Sequence, residues 1–217
     1  MVLVHGKGAN QQLINPVANA LRAEGAQVVM PRLSWAGGNY RPYDQTLAEL
    51  NGPIARLRSA GRPKIVLAGQ SLGANLSLAY AARFSGVAAV VAMAPGHRPA
   101  NILQFLGDSL DRAKAMVAAG RGRETATFLD YNLGRAYPIK TTAEAYASFF
   151  DPDGQANMAN TAPRVSAPIL WVIGSEDRPA MQDSVSSRVG RRLVVPADHR
   201  MTPQAAVREV TTWLRDL

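Results

Sequence analysis

A chain of 217 residues with 47% hydrophobic and 18% charged residues is long enough for one domain that buries about 70% of its unfolded surface, and it reads as a soluble globular protein. It has no cysteine, which excludes disulfides, thiolate metal sites and a cysteine nucleophile, and no apolar run reaches the ~20 residues that a membrane span needs. The net charge of +8 raises nucleic acid as a partner, but Arg22, Arg56, Arg58, Arg83, Arg112, Arg188 and Arg208 are distributed over predicted helices and only Arg191 and Arg192 adjoin, so the charge is read as solvated surface and no nucleic-acid partner is expected.

The first element is the strand "VLVH" (2 to 5), followed by "GKGAN". No basic, apolar leader precedes it, so the expectation is either a very short natural start or a leader already removed, and a cytoplasmic or an exported protein both fit. A helical pattern over 11 to 24 ends at Gly25, and the run "QVVMP" (27 to 31) is the second expected strand. A loop with Trp35, Tyr40 and Tyr43 leads to a helix over 43 to 60 that ends at Gly61.

The strand "KIVLAG" (64 to 69), a helix over 72 to 84 and the strand "VAAVVAMAP" (87 to 95) come next. About 70 residues then separate this strand from "PILWVIG" (168 to 174), far more than the dozen or more that a helical crossover needs. Helical patterns over 101 to 120, 124 to 133 and 142 to 150 predict a helical cap inserted at about 97–166. The last strand, "RLVVP" (192 to 196), precedes a helix over 203 to 216 with Thr202 as N-cap and Pro203 at its first position. Continuous apolar runs that alternate with helices predict an α/β fold, a doubly wound and mostly parallel sheet of about six strands.

Gly69-Gln70-Ser71-Leu72-Gly73 is G-x-S-x-G between a predicted strand and a predicted helix, the setting of a nucleophile elbow. The serine takes a strained conformation there, and the glycines omit side chains that would collide. A serine hydroxyl needs a base, and the base needs a carboxylate to orient it. His5, His97 and His199 compete as base; in the order serine, acid, histidine the base comes last, which favours His199. Asp177 follows a strand directly and is favoured as acid over Glu176 and over Asp198, whose side chain would point away from its neighbour His199 in extended backbone.

The developing oxyanion needs N–H donors worth about 3 kcal/mol each. "VHGKGAN" offers the backbone N–H of Lys7 to pair with that of Leu72, and the Lys7 side chain is expected to have no required catalytic role. No His and carboxylate cluster has metal-ligand spacing, so no metal and no cofactor are expected.

With these residues placed, the chain resembles the α/β-hydrolase superfamily: the H-G strand end, the elbow, G-x-x-D after the penultimate strand and the late histidine all match. It departs at the start, where two strands usual in that superfamily are missing. The resemblance implies a serine hydrolase that cleaves an ester, thioester or amide through an acyl-enzyme on Ser71, with His199 moving the proton and Asp177 orienting it. A carboxylesterase-like enzyme on small or medium acyl esters is favoured. Peptidase or amidase, thioesterase and C–C bond hydrolase activities stay open, as does a non-catalytic binding protein on the same fold. Trp35, Tyr40, His97 and Phe105 are candidate substrate contacts, and other aromatic residues of the insert either line an acyl pocket or pack the cap.

Overall fold

Seven strands form among the described residues of the computed structural model, which are 1–9, 11–177 and 189–217: β1 (Val2–Val4), β2 (Val66–Gln70), β3 (Ala89–Met93), β4 (Thr125–Asn132), β5 (Arg135–Thr142), β6 (Ile169–Gly174) and β7 (Arg191–Val195). Asn10 and Arg188 lie outside the described residues. Five of the strands make one sheet in the order β1-β2-β3-β6-β7, with every pair parallel. The segment expected as a sixth strand, 27–31, joins beside β1 only as a bridge between Val2 and Val29, held by Leu3 N–H to Val29 O at 2.9 Å and Val29 N–H to Met1 O at 3.0 Å. Pro31 has no N–H to carry the ladder further.

β2, β3 and β6 are buried along their whole length, as strands covered on both faces must be. Alternate residues feed two cores. On one face Leu3, Ala68, Val91 and Val172 pack with α1 (Asn15–Ala23) and the C-terminal helix through Val17, Leu21, Val210 and Trp213. On the other face Val4 and Leu67 pack against residues of 33–57, of the helix after β2 and of the insert.

The expected helix over 43–60 is two helices, α2 (Tyr43–Ala48) and α3 (Asn51–Ser59), because Pro53 offers no N–H for the carbonyl four residues back. The helix after the elbow, α4 (Leu72–Arg83), forms as expected.

Between β3 and β6 the insert is mixed, not all helical. It holds α5 (Pro99–Ile102), α6 (Ser109–Ala118), the antiparallel hairpin β4–β5, α7 (Ala143–Phe150) and α8 (Met158–Thr161). The run 124–133, expected as a helix, is the first arm of the hairpin. Leu133 and Gly134, at φ 48° and 89°, make a two-residue turn whose two positive φ values match the right-handed twist of paired strands.

Tyr146 of α7 stacks between Phe128 and Phe150, with ring centroids 4.5 and 4.4 Å away, and its hydroxyl donates to Leu129 O at 2.5 Å. The final helix is also split, into α9 (Thr202–Ala205) and α10 (Val207–Arg215), and Thr202 is its first helical residue and not its cap.

The aromatic column holds the hairpin to α7, so Tyr146→Ala should lower the unfolding free energy by about 3 kcal/mol or more, while Tyr146→Phe, which loses only the hydroxyl bond, should cost about 1 kcal/mol. Urea denaturation of both variants at an unchanged slope checks this.

Candidate active site

The turn from β2 to α4 is a single residue, Ser71, at φ 56° and ψ −123°. A Cβ on Gly69 would lie 2.2 Å from Gly73 O, and one on Gly73 would lie 2.4 Å from Val4 O. Glycine at both places is what lets the strand enter the helix so abruptly. The bonds Ser71 N–H to Met93 O at 3.0 Å and Ala74 N–H to Ser71 O at 3.0 Å hold the strained serine in place.

His199 comes from the loop between β7 and α9, and Asp177 from the loop after β6. His199 Nδ1–H donates to Asp177 Oδ2 at 2.8 Å, which leaves the Nε2 lone pair to accept the Ser71 hydroxyl at 3.0 Å. Asp177 and His199 are both buried. Gln70 fixes the histidine loop, its side-chain amide donating to His199 O at 3.2 Å. The segments that carry Asp177 and His199 interlock through Ser175 N–H to Val195 O at 2.8 Å and Glu176 N–H to Ala197 O at 3.1 Å.

The rival acids are placed elsewhere. Asp198 turns back on its own loop and accepts the N–H groups of Arg200 and Met201 at 2.9 and 2.8 Å. Glu176 is exposed on the cavity rim.

The other two histidines are buried in the fold. Leu33 N–H donates to His5 Nε2 at 3.1 Å, and on the other side of the ring Nδ1 lies 2.8 Å from Gly6 O and 3.2 Å from Trp35 Nε1. His97 Nε2–H donates to Phe149 O at 2.6 Å, and its own carbonyl accepts from Asn75 Nδ2 at 2.6 Å. Burial lowers both imidazoles from their ordinary range, and His97, pressed further by the Lys7 charge, goes down to about 4.

Ser71 and His199 open on a cavity of about 430 Å³ whose apolar wall is Leu72, Ile102, Phe105, Tyr131 and Leu133. A smaller cavity of about 260 Å³ adjoins Ser71 beside Gly8, Leu13 and Gln70. Phe105 stacks on Tyr131 with centroids 4.3 Å apart. Of the four candidate substrate contacts, His97 and Phe105 reach the larger cavity. Trp35 and Tyr40 are buried instead around Phe149, at 6.3 and 4.8 Å.

Lys7 and Leu72 both line the larger cavity beside Ser71. The Lys7 side chain, for which no required catalytic role is expected, forms an ion pair with Asp130 at 2.6 Å. Burial pushes the Asp130 carboxyl up, but the Lys7 ammonium and hydrogen bonds from Lys7 and Tyr40 outweigh it and leave the carboxyl below its ordinary value. The sequence does not mark Asp130, because the run 124–133 reads as a helix; the turn-forming "NLG" between stretches rich in Thr, Tyr and Phe is its signal for a hairpin. A hydroxyl paired with a neutral imidazole that is itself paired with a carboxylate can give up its proton to attack an electrophilic carbon.

The alpha/beta hydrolase family model matches residues 1–211, and the chain belongs to that family. Solved structures with the same fold include the esterase domain of a Rhodothermus marinus protein, at 17% identity and TM-score 0.68 over 99% of this chain and 86% of that one. The monoacylglycerol lipase of Paleococcus ferrophilus is similar at 19% identity and TM-score 0.65, over 98% of this chain and 92% of that one. The thioesterase domain from the curacin biosynthetic pathway aligns at 17% identity and TM-score 0.60, over 98% and 90%. A comparison with curated protein sequences finds no match. Among the described residues no helix is long and apolar enough to cross a membrane.

His97 takes its proton near pH 6.5 in the unfolded chain and only near 4 in the fold, so its contribution is complete above about pH 6.5 and is lost as the pH falls toward 4. The loss should be on the order of 3 kcal/mol. His97→Gln, which keeps a donor for Phe149 O but does not titrate, should flatten the acid limb of stability measured by urea denaturation between pH 7 and 4.

Proposed function

We propose that the chain is a serine hydrolase of carboxylic esters or thioesters that works through an acyl-enzyme on Ser71. The observation that carries this reading is the unbroken relay from Ser71 Oγ through His199 to Asp177, at 3.0 and 2.8 Å, opening on a cavity. His199 Nε2 takes the hydroxyl proton as Ser71 Oγ bonds to the carbonyl carbon, and Asp177 stabilises the imidazolium. The carbonyl oxygen becomes an oxyanion, held by the backbone N–H groups of Lys7 and Leu72. Its collapse expels the alcohol or thiol, which receives the proton from His199, and water then attacks the acyl-enzyme by the same steps in reverse order.

The apolar wall of the 430 Å³ cavity suits a small or medium acyl group, and residues of about 97–166 serve as the cap of a single-domain enzyme. The neighbouring esterase, lipase and thioesterase structures are consistent with a carbonyl substrate whose leaving group is an alcohol or a thiol.

A fluorophosphonate probe and a panel of p-nitrophenyl esters and acyl thioesters test this. Ser71→Ala should abolish both labelling and turnover with the fold intact by circular dichroism; labelling that survives in the variant moves the nucleophile elsewhere. Asp177→Asn should lower kcat by about 10²- to 10⁴-fold, and Asp198→Asn by far less. A damaging Asp198→Asn would overturn the choice of acid.

A further inference from the structure

One charged group behind the cavity wall, next to the lining residue Tyr131, has no part in the proton relay and is too well held to be incidental. Asp130 is fully buried, and its two oxygens accept four donors: Lys7 Nζ at 2.6 Å and Tyr131 N–H at 2.6 Å on Oδ1, and the hydroxyls of Tyr40 at 2.8 Å and Tyr137 at 2.9 Å on Oδ2. The Lys7 side chain is only 8% exposed, donates also to Tyr131 O at 3.3 Å and lies over the Phe150 ring, 5.2 Å from its centroid. Taking two ions out of water costs several kcal/mol each, and an apolar pair of similar volume would serve a core at least as well. Such a pair is explained by what it fixes.

It joins segments 123 residues apart: the loop after β1, and the hairpin strand β4 that carries the cavity wall. The loop after β1 is also pressed on the nucleophile from its other side, since a Cβ on Gly6 would come within 3.0 Å of Ser71 Cβ and 2.7 Å of Gln70 Oε1. Lys7 is thus held between a backbone contact at Gly6 and an ionic contact at its side-chain end. An oxyanion donor works only within a few tenths of an ångström of its ideal distance, and a misplacement of 1 Å can cost about 10²-fold in rate.

We propose that Asp130 is a positioning residue: by gripping the Lys7 ammonium it sets the Lys7 N–H against the oxyanion, and through its neighbour Tyr131 it ties the acyl wall to the same point. The proposal rests on the serine-hydrolase reading of Ser71, and its effect falls on the transition state and not on ground-state binding. The side chain of Lys7 acts on the reaction through the backbone that it anchors.

The test is Asp130→Asn, which keeps the shape and removes the charge. Active sites are counted by fluorophosphonate titration, and kcat and KM for p-nitrophenyl butyrate are measured per titrated site. The inhibition constant of an alkyl trifluoromethyl ketone, which forms an oxyanion on the nucleophile, is measured alongside. The expected result is a fall in kcat of about 10- to 10²-fold with KM within about threefold, and a rise in the ketone constant by the same factor as the loss in kcat/KM. A role in stability alone would lower the melting temperature or the titratable fraction and leave kcat per site at the wild-type value, which would overturn the proposal.

Should Asp130→Asn not fold, Tyr137→Phe removes one donor from Oδ2 at an exposed position and carries the same test. The expectation is a 2- to 5-fold loss of kcat matched by the ketone constant, and unchanged values overturn the proposal. Wild-type protein that neither labels nor hydrolyses any ester or thioester would overturn the reading of Ser71 itself. Labelled and active wild type beside an Asp130→Asn variant of equal kcat would overturn only the role of Asp130.

Discussion

At the end of β2 backbone meets backbone so closely that the shape of the elbow and of the crevice beside it follows. Two chain crossings there are too close for any side chain: a Cβ on Gly73 would stand 2.4 Å from Val4 O and 2.6 Å from His5 O, and one on Gly69 would stand 2.2 Å from Gly73 O. With glycine at both positions, α4 begins one residue after the strand, and that residue, Ser71, is forced to φ 56°. A positive φ on a residue with a side chain costs of order 1–3 kcal/mol and persists only when the surroundings over-determine it. The buried strand on one side and α4, buried from Leu72 to Ala81, on the other supply that determination.

Parallel pairing then brings the remaining groups to the same place. In a sheet whose strands all run one way, every strand ends at one edge, so the loops after β1, β2, β6 and β7 deliver Lys7, Ser71, Asp177 and His199 to a common crevice. The elbow's device recurs at the far strands, where a Cβ on Gly174 would meet Ala197 O at 2.2 Å. This closeness lets the loops of Asp177 and His199 bond to each other and sets the 2.8 Å contact between the two side chains.

Burial sorts the polar groups around this crevice by their partners. His5 and His97 each find a main-chain carbonyl and are held neutral as parts of the packing. Asp130 and Lys7, which carry charge, satisfy one another and draw in the hydroxyls of Tyr40 and Tyr137. The aromatic residues of the insert divide in the same way: Phe128, Tyr146, Phe149 and Phe150 have no exposed surface to speak of and make the core, while Phe105 and Tyr131 stack at the cavity.

The layered fold, and the meeting of Asp177 and His199 at Ser71, were legible in local pattern and chain order. Continuous apolar runs bounded by turn residues fit strands covered on both faces, G-x-S-x-G between a strand and a helix fits a nucleophile elbow, and the order of Ser71, Asp177 and His199 along the chain is the one that the α/β-hydrolase resemblance implies. The local signals at Pro31 and Pro53 were also present, and they explain why 27–31 makes one bridge and why the helix expected over 43–60 is two. Tertiary structure alone decided the rest. The run 124–133 carries apolar residues that fit either period, and only pairing with 135–142 across a two-residue turn makes it a strand. The fates of Trp35 and Tyr40, and the engagement of the Lys7 side chain, depend on Phe149 and Asp130, more than 85 residues away in the chain. Local sequence carries no record of such partners, because a side chain's environment is set by which distant segments the fold brings against it.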